Sequence, residues 1–539
     1  MFSHYNTQED EATRPLFAKL NQTSTRQSKY QHFFSVYRNY SLAVKTITFI
    51  LCGVCILSAV VAAIFLPRVS SSALSLCLAD ANIQFLVQGS VDWKRSIRQW
   101  NVRLTYTPAA VATPYTIEQI QVAVNCGINN RVRVTAKGGG HSFGSYGLGS
   151  EDGHLVIALQ QLNKVTLFEN GTARIQPGAR LGHVSSELYK QGGRAIPHGA
   201  CPGVGLAGHA LHGGYGRASR THGLTLDWMT GARVILADGS MVFCSTYENS
   251  ELFWALRGAG SSFGIVAEFE FKTFDAPEYV TPFTIELHWN EQAAFDALSA
   301  LQDFALVAPQ TFNMFSFVTA TSQVIQGLYF GDKVGLANGL QPLLARVDTT
   351  VSDMETVGWL EGHEYFADGE PLDSLAPYNA HGTFYTSSLT TPTLTRQQIK
   401  SVTAAMFRNI NNTSARHSWE IFIEMHEVPN SAVSMVNSSA TAYPHRDKVI
   451  LWQLSDIGEH GSLPRESFEF LRPLMNRVTE SLAPSQWGQY SNFIDTELDG
   501  EIAQDLYWEE NLPRLKVIKP KFDPTNIFWN PQGVSPIIN

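Results

Sequence analysis

Residues 195–227 read A-I-P-H-G-A-C-P-G-V-G-L-A-G-H-A-L-H-G-G-Y-G-R-A-S-R-T-H-G-L-T-L-D, which places Cys201 and four histidines in a dense field of glycines. No amphipathic helix or alternating strand is written this way. Glycine has no Cβ, so a chain rich in it lets another group approach its backbone closely. A second stretch of the same character, Lys137-Gly-Gly-Gly-His-Ser-Phe-Gly-Ser-Tyr146, precedes it. Together they read as two loops wrapped on one large flat cofactor.

Other chemistries compete for these residues. Gly203-Val204-Gly205-Leu206-Ala207-Gly208 spells G-x-G-x-x-G, with Asp227 downstream, and imitates a dinucleotide fingerprint. That motif needs a buried strand before it and a long helix after it. Residues 192–200 cannot be a buried parallel strand, and Gly213, Gly214 and Gly216 would interrupt a following helix. His198, His209, His212, His222 and Cys201 are ligand types suited to zinc. No C-x-x-C or H-E-x-x-H accompanies them, so no metal is assigned. Taken singly, each histidine can equally serve to satisfy backbone groups.

The elements that would carry these loops form an α+β pattern, not a regular βαβ repeat. A helix is predicted over 116–129 and another over 183–191. Short strands are predicted over 132–136, 154–159, 172–176 and 231–237, with Asp238-Gly239 as a hairpin turn. Residues 252–266 end a helix in a glycine-rich loop and enter a strand. Beyond about residue 276 glycines thin out, and strands (283–289, 323–330) alternate with helices (291–306, 395–409). The folded part then divides into 74–275, 276–487 and a Pro- and Asx-rich segment 488–539 that packs back on the first.

The chain is 539 residues long, 44% hydrophobic and 16% charged, enough to bury more than one core. Its net charge of −9 and the lack of a long basic run exclude nucleic acid as a partner. Eleven Trp, 18 Tyr and 31 Phe favour a pocketed enzyme over a linker or scaffold. Residues 1–45 are polar and read as a disordered tail. Residues 46–66 are nearly uncharged and long enough to cross a bilayer as a single transmembrane helix and signal anchor. Arg14, Lys19, Arg26, Lys29, Arg38 and Lys45 precede this run and Arg68 follows it. The charge bias predicts a single-pass type II protein with its catalytic part outside the cytosol. The alternative is secretion after cleavage near Ala73. A Cys77–Cys126 disulfide is expected in that oxidising setting. Sequons stand at Asn170, Asn411, Asn412 and Asn437.

Five segments point to a family: K-G-G-G-H-S at 137–142, Q-P-G-A-R at 176–180, H-G-A-C-P-G-V-G at 198–205, L-H-G-G-Y-G at 211–216 and G-S-S-F-G-I-V at 260–266. They resemble the berberine bridge enzyme-like oxidases of the vanillyl-alcohol-oxidase (PCMH) type, and especially the fungal glucooligosaccharide oxidases. The likeness runs from Cys77 to Gln532. It implies a two-lobed PCMH-type FAD-binding domain and a substrate domain with a large antiparallel sheet backed by helices. It also implies a bicovalent FAD, with His141 on the flavin 8α-methyl carbon and Cys201 on C6. The thiol at 201 is not assigned to a disulfide, which is compatible with that chemistry. Lys137, Gly138, Gly139, Gly140, Ser142, Gly203, Val204, Gly205, Gly208, His209, Gly213, Gly214, Gly264, Ile265 and Val266 would line the cofactor. The Gly138–Gly140 run offers backbone N–H groups as a nest for the pyrophosphate.

The function implied is hydride transfer from a substrate alcohol or hemiacetal, including oligosaccharide C1, to flavin N5. O2 would then be reduced to H2O2. Val204 matches the residue that accompanies oxygen reactivity in the family. Gln489-Tyr490-Ser491-Asn492-Phe493-Ile494-Asp495 resembles the family's Y-x-N-Y-x-D, which makes Tyr490 the expected base. Glu424 stands where relatives carry an aspartate, Gln453 matches a substrate-contacting glutamine, and Tyr215 faces the site in relatives. Three departures stand out: Phe143 for Tyr, Phe422 for Gln and Phe493 for the second Tyr of the C-terminal motif. Each replaces a hydrogen-bonding group by a ring. They favour an alternative, a secondary-metabolite oxidase acting on a less polar aromatic or polyketide-like substrate.

Overall fold

The computed structural model describes residues 71–373, 381–412, 418–426, 428–458 and 466–537. The tail 1–45 and the span 46–66 lie outside the described residues. The expected membrane span must be corrected. No helix among the described residues is long and apolar enough to cross a membrane. The two longest, Glu291–Val307 and Arg396–Asn412, have 17 residues each, and the first is N-capped by Asn290, whose side chain accepts from Ala293 N–H at 2.9 Å. The first described helix, Ser71–Asp80, has ten residues, about half the length a hydrocarbon core requires. Its Leu74 and Leu78 are buried in the protein core. The proposed cut near Ala73 falls inside this helix. The single-pass anchor is not retained.

Three large sheets, with a two-stranded pairing of Arg194–Ala195 and Phe274–Asp275, build the described unit from Ser71 onward. The first has four strands in the order Gln84–Leu86, Ala110–Thr113, Leu155–Ala158, Val134–Lys137. The last three are mutually parallel. Helix Ile117–Asn129 covers this sheet. Thr116 caps it by accepting from Gln119 N–H, and Ile120, Ala123 and Val124 face inward at helical spacing. The Cys77–Cys126 disulfide ties it to helix Ser71–Asp80, as expected. The second sheet is antiparallel, in the order Val165–Leu167, Thr172–Ile175, Ile265–Lys272, Met229–Ile235, Met241–Ser245. Gly239, at φ +78°, makes the hairpin between its last two strands. The C-terminal segment joins both parts. Ile527 O accepts from Val134 N–H (3.0 Å), and the Trp508 indole donates to Gly258 O (3.0 Å).

The third sheet has seven strands, all antiparallel to their neighbours: Asp353–Met354, Thr281–Glu286, Gln323–Tyr329, Phe312–Thr319, Ser418–Glu424, Ile450–Gly458, Thr383–Thr391. One face packs Ile421, Ile423, Trp452 and Leu454 against Leu298, Leu336, Ile399 and Leu471 of four helices. Residues opposite one another across an antiparallel pair share a face, and so do residues two apart. Register therefore sets three rows on the other face. These are Thr319–Glu420–Ser455–Thr386, Phe317–Phe422–Gln453–Ser388 and Phe315–Glu424–Leu451–Thr390. Leu451 belongs to the hydrophobic core of the glycine-rich half, so this face looks toward the two loops.

Candidate active site

The loops meet each other before they meet anything else. A Cβ on Gly139 would lie 2.3 Å from Gly205 N, and one on Gly205 would lie 2.3 Å from Gly139 N. These two glycines let the loops 137–142 and 201–205 touch backbone to backbone. Arg180 of the Q-P-G-A-R segment clamps them, donating from Nη1 to Gly139 O (3.1 Å) and to Gly203 O. A Cβ on Gly208, by contrast, would meet nothing within 4 Å. The literal G-x-G-x-x-G does precede a helix, but Leu206–His212 is only seven residues long, ending at Gly213 with φ +145°.

His141 stacks on Trp100, with ring centroids 4.9 Å apart and planes at 15°, and Trp100 stacks in turn on Phe384 at 4.6 Å. Burial, then Arg180 and His381, push the His141 imidazole down to about 3, so it is neutral with a lone pair at physiological pH. Burial and Arg180 lower Lys137 to about 8; its ammonium donates to Ser96 O at 2.8 Å. Cys201 is half-buried. Ser142 Oγ accepts from Tyr146 N–H (3.2 Å), and Val204 packs against the core.

These residues fit the implied FAD. A neutral histidine suits attachment to carbon, open space flanks Gly208, and Lys137 and Arg180 supply positive charge beside the glycine loops for a pyrophosphate. Other expected contacts are structural. His209 Nε2 accepts from Gly199 N–H (3.0 Å), and a Cβ on Gly264 would lie 2.6 Å from Val234. Ile265 and Val266 are buried strand residues paired with Ile235 and Val234. Gly140 takes the left-handed φ of +73° that turns the chain into His141.

Aromatic and charged residues from segments far apart in the chain converge beside the loops. Tyr490 is buried, and its Oη accepts from Gly214 N–H and from Asn492 Nδ2–H, both at 2.8 Å. Gly213 has no alternative here, since a Cβ would sit 2.7 Å from the Tyr490 ring. Tyr215 meets Tyr490 edge-on at 5.2 Å, stacks on His426 at 4.8 Å and shares a 2.6 Å hydrogen bond with the Tyr443 hydroxyl. Glu424 is hydrogen-bonded to His426 Nε2 and lies 3.4 Å from Arg217 Nη1. Burial alone would raise its carboxyl, but His426 and Arg217 outweigh that and hold it down to about 2. The Arg217 guanidinium rests 3.5 Å above the Phe315 ring.

The substituting phenylalanines fall into two groups. Phe422 packs on Phe317 (4.7 Å) and Phe315 (5.8 Å), and Phe493 packs edge-on against both Tyr490 (5.0 Å) and Phe143 (6.0 Å). Gln453 is half-buried in the row with Phe422. The structure thus brings together Tyr490, Tyr215 and Glu424, and places Gln453 one strand over. Trp100, Arg217 and Tyr443 were not foreseen. Arg217 directly follows the G-G-Y-G run, which was the one available signal; Trp100 and Tyr443 carry none.

Comparison with known proteins agrees with this geometry. The model of an FAD binding domain matches residues 108–245, and a berberine and berberine-like model matches residues 489–535. The FAD-linked oxidoreductase dpmaF of Metarhizium anisopliae is 45% identical over 468 residues, covering 86% of this chain and 91% of its own. The chitooligosaccharide oxidase of Gibberella zeae is 42% identical, covering 89% of this chain and 98% of its own. A glucooligosaccharide oxidase structure from Acremonium strictum, described with a 6-S-cysteinyl, 8α-N1-histidyl FAD, superposes with a TM-score of 0.84. It is 40% identical and covers 87% of this chain and 100% of its own. On this evidence the chain is an FAD-linked oxidoreductase and belongs to the berberine bridge enzyme-like oxidase family.

Proposed function

We propose that this enzyme oxidises the C1 hemiacetal of a small saccharide, with Tyr490 as the base that receives the hydroxyl proton. The observation that carries the reading is the pair of N–H donors, from Gly214 and Asn492, converging on the Tyr490 oxygen. Two donors aimed at one oxygen stabilise negative charge on it. Glu424 does not serve as a mobile base, because His426 and Arg217 engage it as an anion. Its charge fixes His426 beneath Tyr215, and so fixes the wall against which Tyr490 packs. Gln453 and Tyr215 orient the substrate. FAD, when bound, supplies the hydride acceptor and delivers the electrons to O2 as H2O2. His141 and Cys201 are the residues proposed to hold it covalently, within a division of the chain at 74–275, 276–487 and 488–539.

A second reading has its own observation. The half-buried Phe317–Phe422 pair offers an aromatic wall to a less polar alcohol. H2O2 production on glucose and cellobiose against a panel of aromatic alcohols separates the two. In Tyr490→Phe, kcat should fall by roughly 10²–10⁴ with the bound-flavin spectrum intact. Retention of a tenth or more of the activity would remove Tyr490 from its role. For the tethers, absorbance of denatured protein should stay yellow in His141→Ala and in Cys201→Ala and be lost only in the double variant.

A further inference from the structure

Glu420 is a carboxylate on the site face that the chemistry above does not use. It lies four residues before Glu424 on strand Ser418–Glu424, so its side chain emerges on the same face about 13 Å away along the strand. That is farther than one sugar ring extends from its reacting carbon. Register places it in a row of hydrogen-bonding side chains, between Thr319 and Ser455, with Thr386 next across. The Thr386 and Ser455 hydroxyls lie 3.2 Å apart. The row between Glu420 and the reacting end is Phe317–Phe422–Gln453, which offers an aromatic surface and one amide. A bound molecule running down this face meets in turn a charged reacting end, an apolar ring face and a polar far end. That alternation suits a chain of pyranose rings, whose faces are apolar and whose edges are polar.

We propose that Glu420 is a specificity-determining residue, accepting hydrogen bonds from vicinal hydroxyls of a second sugar unit bound beyond the reacting one. The proposal rests on the saccharide reading of the active site. Among the described residues, Asp368, in the turn after helix Trp359–Glu364, is the charged group that faces Glu420. Burial, then the charge of Asp368, raise the Glu420 carboxyl to about 7. As pH rises through that value the group changes from one donor and one acceptor to an acceptor on both oxygens, so affinity for the second unit should increase.

The test uses two saccharide analogues that cannot be oxidised at C1: 1,5-anhydroglucitol, with one ring, and 1,5-anhydrocellobiitol, with two. Binding to the holoenzyme is read from the flavin absorbance at pH 6 and pH 8. In the wild type the two-ring analogue should bind about ten-fold tighter than the one-ring analogue at pH 8, with a narrower margin at pH 6. Glu420→Gln should abolish the pH dependence of that margin, and Glu420→Leu should remove most of the margin itself. One-ring affinity and the flavin spectrum should not change in either variant. A margin that survives Glu420→Leu with its pH dependence overturns the role of Glu420 and leaves the saccharide reading standing. Equal weakening of both analogues in the variants also overturns it. If neither analogue binds the wild type, both readings fall together.

Discussion

The glycine loops and the sheet face bound the same site but are constrained in opposite ways. In the loops the backbone does the work. Gly139 and Gly205 touch through main-chain atoms, Arg180 holds their carbonyls, and Gly213 leaves room for the Tyr490 ring. A side chain added at Gly139, Gly205 or Gly213 collides with backbone or with a buried ring. On the sheet face the backbone is an ordinary antiparallel ladder, and each outward side chain can change without disturbing it. The loops can therefore hold one cofactor and little else, whereas the sheet can be retuned residue by residue. Phe422 stands on the sheet face, while Phe493 packs between Tyr490 and Phe143.

The contrast breaks most visibly at the loops. Gly139→Ala should cost roughly 3 kcal/mol of stability in urea unfolding, with loss of flavin, because its Cβ would lie 2.3 Å from backbone. Gly208→Ala, facing open space, should fold normally and change stability by less than about 1 kcal/mol. If both were equally mild, close backbone packing would not explain the loops.

A smaller effect concerns Glu424, a sheet-face residue whose charge is locked by His426 and Arg217. Its carboxyl is depressed to about 2 from an ordinary value of 4.5, so its stabilising contribution is complete above about pH 4.5 and fades as pH falls toward 2. Glu424→Gln should lower stability by about 2 kcal/mol at pH 6. The gap to wild type should close progressively in unfolding curves as pH falls from about 4.5 to about 2. A gap independent of pH would mean that shape, not charge, matters there.

The smallest effect tests the retunable face. Phe422→Gln should leave flavin content and stability unchanged and lower KM for disaccharides about three-fold, by the worth of a single hydrogen bond. If it instead raises KM for saccharides and abolishes oxidation of aromatic alcohols, the less polar substrate is the natural one.

Much of the cofactor end was legible in the chain itself. His141 and Cys201 sit in contiguous segments whose glycines announce themselves, and a local backbone requirement leaves a local mark. The Cys77–Cys126 pairing and the capped helix Ile117–Asn129 were equally readable. The purpose of the glycines was only half readable. They were expected to make room for a flat ring, yet Gly139 and Gly205 make room for each other. The apolar run at 46–66 suggested a membrane helix, but no helix among the described residues is long and apolar enough to cross one.

What the sequence alone determined is the family, the cofactor and the segments that meet it, since those depend on residues adjacent along the chain. What only the tertiary structure decided is the substrate end. Phe317, Phe422, Gln453 and Ser388 form one row because four strands, far apart in sequence, pair in one register. A slip of one residue would turn every one of them to the opposite face. Likewise Tyr490, 276 positions along the chain from Gly214, meets it through one hydrogen bond, and no local pattern records that meeting.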